Sequence, residues 1–104
     1  MGKSKKNPDA ALRKIVTGFR RGLLGNRPST QMCFTVCAPL QGLLEIYGHK
    51  TEMVEGDFGH TNHFWLRFSD GRIIDPTADQ FKKPDGGKMP RVYIGEKPEW
   101  YKEA

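Results

Sequence analysis

Two periodicities divide the chain. Leu12, Ile15, Val16, Phe19 and Leu23 recur at helical spacing while Arg13, Lys14, Arg20 and Arg21 take the other face, which predicts a first helix. Asn7-Pro8-Asp9 is its start, since Asn caps and Pro is at home in the first turn, and Gly25-Asn26 is its end. Arg27 to Thr30 reads as a linker able to cap a second helix. The stripe of that helix runs through Cys33, Val36, Cys37, Leu40, Leu43, Leu44 and Tyr47, with Gly48 as the stop. Pro39 interrupts the stripe and removes one backbone hydrogen bond, so a kink or an irregular first turn is expected there.

Beyond Gly48 the pattern shortens to the period of a strand. Lys50 to Gly56 reads as a strand, residues 57–62 as a loop, and HFWLRF (63–68) with RIID (72–75) as a hairpin around Ser69-Asp70-Gly71. Residues 82–90 are a loop by composition, Arg91 to Gly95 a last strand and residues 96–104 a tail. The order predicts an α+β fold with a small antiparallel sheet packed on the second helix. The hairpin has two possible registers. A two-residue loop at Asp70-Gly71 pairs Phe68 with Ile73 and puts His63 and Asp75 on opposite faces. A three-residue loop with a left-handed Gly71 pairs Phe68 with Arg72 and gathers His63, Trp65, Ile73 and Asp75 on one face. His63 and Asp75 are then diagonal neighbours, roughly 7–8 Å apart at the backbone. If the second helix packs on that face, its N-terminus reaches His63.

The 104 residues suit a single domain with one modest core. Its formal charge of +5 is uneven: residues 1–21 carry seven Lys/Arg against Asp9 alone, and the remainder is nearly neutral. Residues 1–8 read as a basic flexible arm. Such a start suits nucleic acid, an anionic membrane or a transit peptide, but a solvated face is the reading kept. Lys6 breaks the myristoylation pattern, and no apolar run is long enough for a signal core or a membrane span. Two cysteines suit free thiols in a reducing compartment, so a cytoplasmic location is expected.

The chemistry gathers on the hairpin. A histidine oriented by an aspartate is the base half of a nucleophilic triad, and Cys33 is the matching nucleophile. It stands in the first turn of its helix, where unpaired amides lower a thiol's pKa and can hold an oxyanion, the Cys33 N–H foremost. Cys33 with the helix to Gly48, His63-Phe64-Trp65 and Ile73-Ile74-Asp75-Pro76-Thr77 together resemble the transglutaminase-like branch of the papain-like cysteine enzymes. The resemblance covers residues 30–81, the catalytic-like core. It implies a papain-like fold and thiol acyl-transfer chemistry on a protein or peptide: hydrolysis as a peptidase or amidase, deamidation, or transfer to an amine. It requires no cofactor. Family members are usually longer, so the chain reads as a minimal core. Gln31 and Asn62 are weaker candidates to donate to the oxyanion, and Trp65 to shield the dyad or touch substrate.

Other readings use the same residues. Cys33 and Cys37 lie on an apolar stripe, and buried cysteine is common core filling; Cys37 is read that way. Cys33, Cys37, His60 and His63 could form a zinc site, but both cysteines share one helical stripe and Asp75 is left without a job. The basic N-terminal arm could bind nucleic acid, though no recognised motif accompanies it. An inactive fold that binds a partner is the main alternative to an enzyme.

Overall fold

The computed structural model describes residues 8–25, 32–59 and 61–104. The caps read at Asn7 and in Arg27 to Thr30, and the candidates Gln31 and His60, lie outside them. The architecture is α+β: two helices, α1 (Pro8–Leu24) and α2 (Cys33–Ile46), and a four-stranded antiparallel sheet. Its strands are β1 (Glu52–Asp57), β2 (Asn62–Arg67), β3 (Ile73–Asp75) and β4 (Tyr93–Gly95), paired in chain order. A 3-10 turn, Ala78–Gln80, comes after β3. Among the described residues no helix is long and apolar enough to cross a membrane.

Both helices form where the apolar spacing places them, with two departures. Arg20, assigned to the solvated face of α1, is buried. Its guanidinium donates to the carbonyls of Pro76 and Arg91 at 3.0 and 2.8 Å and forks onto both carboxylate oxygens of Asp79. Burial of this arginine is tolerable because both of its terminal nitrogens have acceptors. Tyr47, assigned to the apolar stripe of α2, is 59% exposed. The helix ends one residue earlier, and Gly48 at φ 88° closes it. The Gly48 and His49 amides return to the carbonyls of Glu45 and Leu44, the Schellman arrangement that only a left-handed residue permits cheaply. Pro39 does not break α2, which continues through it with the ring exposed to solvent.

Register is set by one glycine. Gly71 is left-handed at φ 93° and Phe68 N–H donates to the Arg72 carbonyl, so the loop has three residues. Leu66 pairs with Ile74 and Arg67 with Ile73; continuing that register sets Trp65 opposite Asp75 and Phe64 opposite Pro76. Alternation then separates two apolar layers. Leu66, Ile74 and Ile94 pack under both helices with Leu12, Val16, Cys37, Leu40 and Leu44. Trp65, Ile73 and Val54 face the other way, against Ala78, Met89 and Tyr101.

Four expectations are corrected here. The helix does not pack on the His63/Asp75 face but on the opposite one, where the larger aliphatic set lies. The loop at residues 57–62 shortens to residues 58–61 as Asp57 and Asn62 pair across β1 and β2, and the last strand starts at Tyr93 rather than Arg91. Residues 96–104 are no loose tail. Asp57 N–H donates to Lys102 O and Ala104 N–H to Glu55 O, so the segment covers the outer edge of β1 and lays Tyr101 against the sheet.

Candidate active site

Asp75 closes β3 because the next residue is proline. Pro76 has no N–H to donate across the ladder, so Phe64, which pairs with Glu55 on β1, has no amide to accept from on its β3 side. The first turns of α2 fill that gap: the Cys37 thiol donates to the Phe64 carbonyl at 3.5 Å. Cys33 lies one turn closer to the helix start. The sequence therefore brings α2 to β2 through the strand's vacated backbone, and Cys33 meets the edge of the dyad although the body of the helix lies on the other face.

The dyad itself is formed. His63 Nε2 lies 2.6 Å from Asp75 Oδ2, with both residues fully buried. Asp75 is held by more than the histidine. Tyr101 donates its hydroxyl to the same Oδ2 at 2.6 Å, and the Thr77 N–H and hydroxyl approach Oδ1 at 3.0 and 3.5 Å. Donors thus surround the carboxylate, the condition under which a buried charge is stable. Asp-Pro-Thr is well suited to this: the aspartate accepts from the amide two residues on, as in an Asx turn.

With Nε2 committed to Asp75, the ring's Nδ1 is left buried without a conventional hydrogen bond. Cys33 is the group that couples to the ring. Burial acts to raise the thiol's pKa, but pairing with His63 and the nearby backbone of Phe64 and Phe34 outweigh it, and the pKa is lowered. For His63, burial acts to lower the pKa, while Asp75 and then Cys33 raise it to about 9. The two shifts agree: each charged form favours the other, as in a thiolate–imidazolium pair. Cys37 behaves oppositely. Burial, and then the negative charges of Asp75 and Cys33, push its thiol well above the usual range.

The helix start adds polarity at the thiol. The residue preceding α2 is Met32, which cannot cap, and the first intrahelical bond is from Val36 N–H to the Met32 carbonyl. The amides of Cys33, Phe34 and Thr35 therefore have no acceptor within the helix. Such amides stabilise negative charge, on sulfur or on an oxyanion.

Aromatic rings enclose the imidazole. Phe58 and Phe81 lie 5.1 and 4.7 Å from its centre, Trp65 and Tyr101 at 6.1 Å each. Cys33 keeps 8% of its surface exposed and His63 and Asp75 none, so of the three residues only Cys33 has any exposed surface. The weaker candidates separate by position. Asn62 is exposed with its amide bonded to Glu55 across the β1–β2 pair, and Trp65 is fully buried, a wall of the dyad rather than a surface for substrate. Among the described residues no group of three or more His, Cys, Asp and Glu is placed to hold a metal. Tyr101, Phe58 and Phe81 are parts of the site for which the sequence carries no local signal. Thr77 has one, its place two residues after Asp75.

Compared with protein-family models, curated proteins and solved structures, the chain has no match.

Proposed function

We propose that the protein is a cysteine-dependent acyl-transfer enzyme with Cys33 as nucleophile, His63 as acid and base and Asp75 as its orienter, on a minimal papain-like core of the transglutaminase-like kind. The observation that carries the reading is the buried His63–Asp75 bond through Nε2, which leaves Nδ1 for the thiol at an uncapped helix start. The thiolate adds to the carbonyl carbon of an amide or ester, and the electron pair moves to the carbonyl oxygen, facing the Cys33 and Phe34 amides. As the carbon–oxygen double bond re-forms, the C–N or C–O bond breaks and His63 gives its Nδ1 proton to the leaving group. Neutral His63 then takes a proton from water or an amine, which attacks the thioester, and the thiolate leaves with the ring again protonated. Asp75 keeps the second nitrogen protonated throughout. The acyl donor is a protein or peptide carbonyl presented to the Cys33 thiol.

One observation favours a second reading: an 8% exposed nucleophile offers little room for a substrate, as in an inactive module that binds a partner. The rate of iodoacetamide alkylation against pH, resolved by mass spectrometry, separates the two. An enzyme site gives Cys33 fast alkylation well below the usual thiol pKa of about 8.5, at least about tenfold slower in His63→Ala, with Cys37 unreactive as internal control. Cys33 as inert as Cys37 until the protein unfolds overturns the enzyme reading.

A further inference from the structure

The strongest unassigned chemistry lies on α1, away from the thiol. Arg13, Thr17, Arg20 and Arg21 succeed one another at helical spacings that bring them to one flank of the helix. That flank faces the segment of Arg91 and Val92 across a cleft of about 220 Å³, lined among the described residues by Arg13, Thr17, Arg20, Arg21, Gly25, Arg91 and Val92, none of them acidic. At about 30 Å³ per water, it has room for roughly seven water molecules, the scale of a small oxyanion.

The cleft is built rather than incidental. Arg13 donates to the Val92 carbonyl at 3.2 Å and Arg20 to the Arg91 carbonyl at 2.8 Å, so two side chains of α1 fix the opposite wall. Arg20 is neutralised by its fork onto Asp79. Among the described residues Arg13, Arg21 and Arg91 have no carboxylate partner. Three positive charges thus line one hollow together with Thr17. Gathering like charges is unfavourable unless an anion joins them, and guanidinium forks match the oxygens of a phosphoryl group two at a time.

We infer that this cleft binds a phosphoryl anion, a phosphate or diphosphate group, through Arg13, Arg21 and Arg91. The source is a free anion or the diphosphate of a nucleotide. Isothermal titration calorimetry of the full chain with inorganic phosphate, pyrophosphate and ADP tests it. Saturable one-to-one binding of pyrophosphate is expected, weakened at least about tenfold in the Arg21→Ala/Arg91→Ala double variant and unchanged in the charge-matched Lys50→Ala/Lys88→Ala control. All four positions are exposed, and unchanged circular dichroism and melting establish that the variants are folded. A conservative Arg91→Lys variant, which keeps charge and loses the fork, is expected to bind with intermediate affinity. ADP as tight as pyrophosphate assigns the cleft to the diphosphate wherever it is carried, and ADP much weaker assigns it to the free anion. Absence of saturation with phosphate and pyrophosphate alike, or equal weakening in the lysine control, overturns the site. So does binding only to an oligonucleotide, with a steep salt dependence, which would mark α1 as an extended polyanion strip.

Discussion

His63 is the residue at which structure and stability are most directly linked. Its pKa is raised from 6.5 to about 9 against the pull of burial, mainly by Asp75 and then Cys33. A group whose folded pKa exceeds its unfolded one adds stability that is full below the unfolded pKa and lost as pH rises through the folded one. For His63 that window runs from about 6.5 to about 9, and its size is on the order of 3 kcal/mol. The lowered Cys33 thiol acts in the other direction, adding stability above its unfolded pKa and losing it as pH falls through the folded one. In Cys33→Ser, which removes that second titration and with it the thiol's share of the His63 shift, urea unfolding is expected to show stability falling as pH rises above about 6.5 and levelling off before about 9. Nitrogen-resolved NMR should place the imidazole midpoint clearly above 6.5, and Asp75→Asn should lower it by about 1–3 units. A midpoint at or below 6.5 in the parent protein would mean that burial, not Asp75, governs the ring. The three chemical residues were legible in the sequence because type and order suffice to name them. Tyr101 was not, because its bond to Asp75 spans 26 residues with no periodicity linking the two.

At the scale of elements, what could be read depended on local backbone rules. The hairpin register was one of two alternatives until the left-handed Gly71 decided it, and Gly48 ended α2 for the same reason. The face that α2 covers was not legible. Both sides of β2 are apolar, and the choice rests on which side collects the larger aliphatic set, a comparison that involves α1 and β4 as well. Gly56 is a glycine with a different task. Its backbone has no left-handed turn, but it lies in β1 directly under the Trp65 ring. A Cβ there would overlap Cζ3 and Cη2 of Trp65 and come 2.9 Å from the Lys102 carbonyl. Neither a strand backbone nor a fully buried indole can move far in a packed layer. Gly56→Ala is therefore expected to lose about 1–3 kcal/mol or more and to shift tryptophan emission as Trp65 is displaced. An unchanged urea midpoint and unchanged emission would show that the layer is looser than its contacts imply.

For the whole molecule, the decisive fact is that the last residues complete the wall of the site. The α+β class was legible because helix and strand periods occur in separate stretches. The role of residues 96–104 was not, since Pro, Lys and Glu give that stretch the composition of a tail and its strand-like bonds are made only with the β1 edge. Phe58 links the two ends of this arrangement, touching His63, Trp65, Phe81, Trp100 and Tyr101. Removing residues 98–104 strips two of these rings, the Tyr101 donor to Asp75 and the cover of β1 at once. Loss of one large buried aromatic costs about 3–5 kcal/mol, a large part of a typical total of about 5–15. The truncated chain is expected to be largely unfolded, with Cys33 and Cys37 alkylated at similar rates. Tyr101→Phe keeps the ring and removes only the hydroxyl, so it should lose about 1.5–3 kcal/mol and remain folded. In that variant Cys33 should still react ahead of Cys37, because Asp75 retains His63 and Thr77. If the truncated chain instead unfolded at the parent's urea midpoint with Cys33 equally activated, the C-terminal segment would be a cover that the dyad does not need. The competent unit would then end near β4. The Tyr101 contact would be a consequence of packing, and the aromatic enclosure of His63 would rest on Phe58, Trp65 and Phe81 alone.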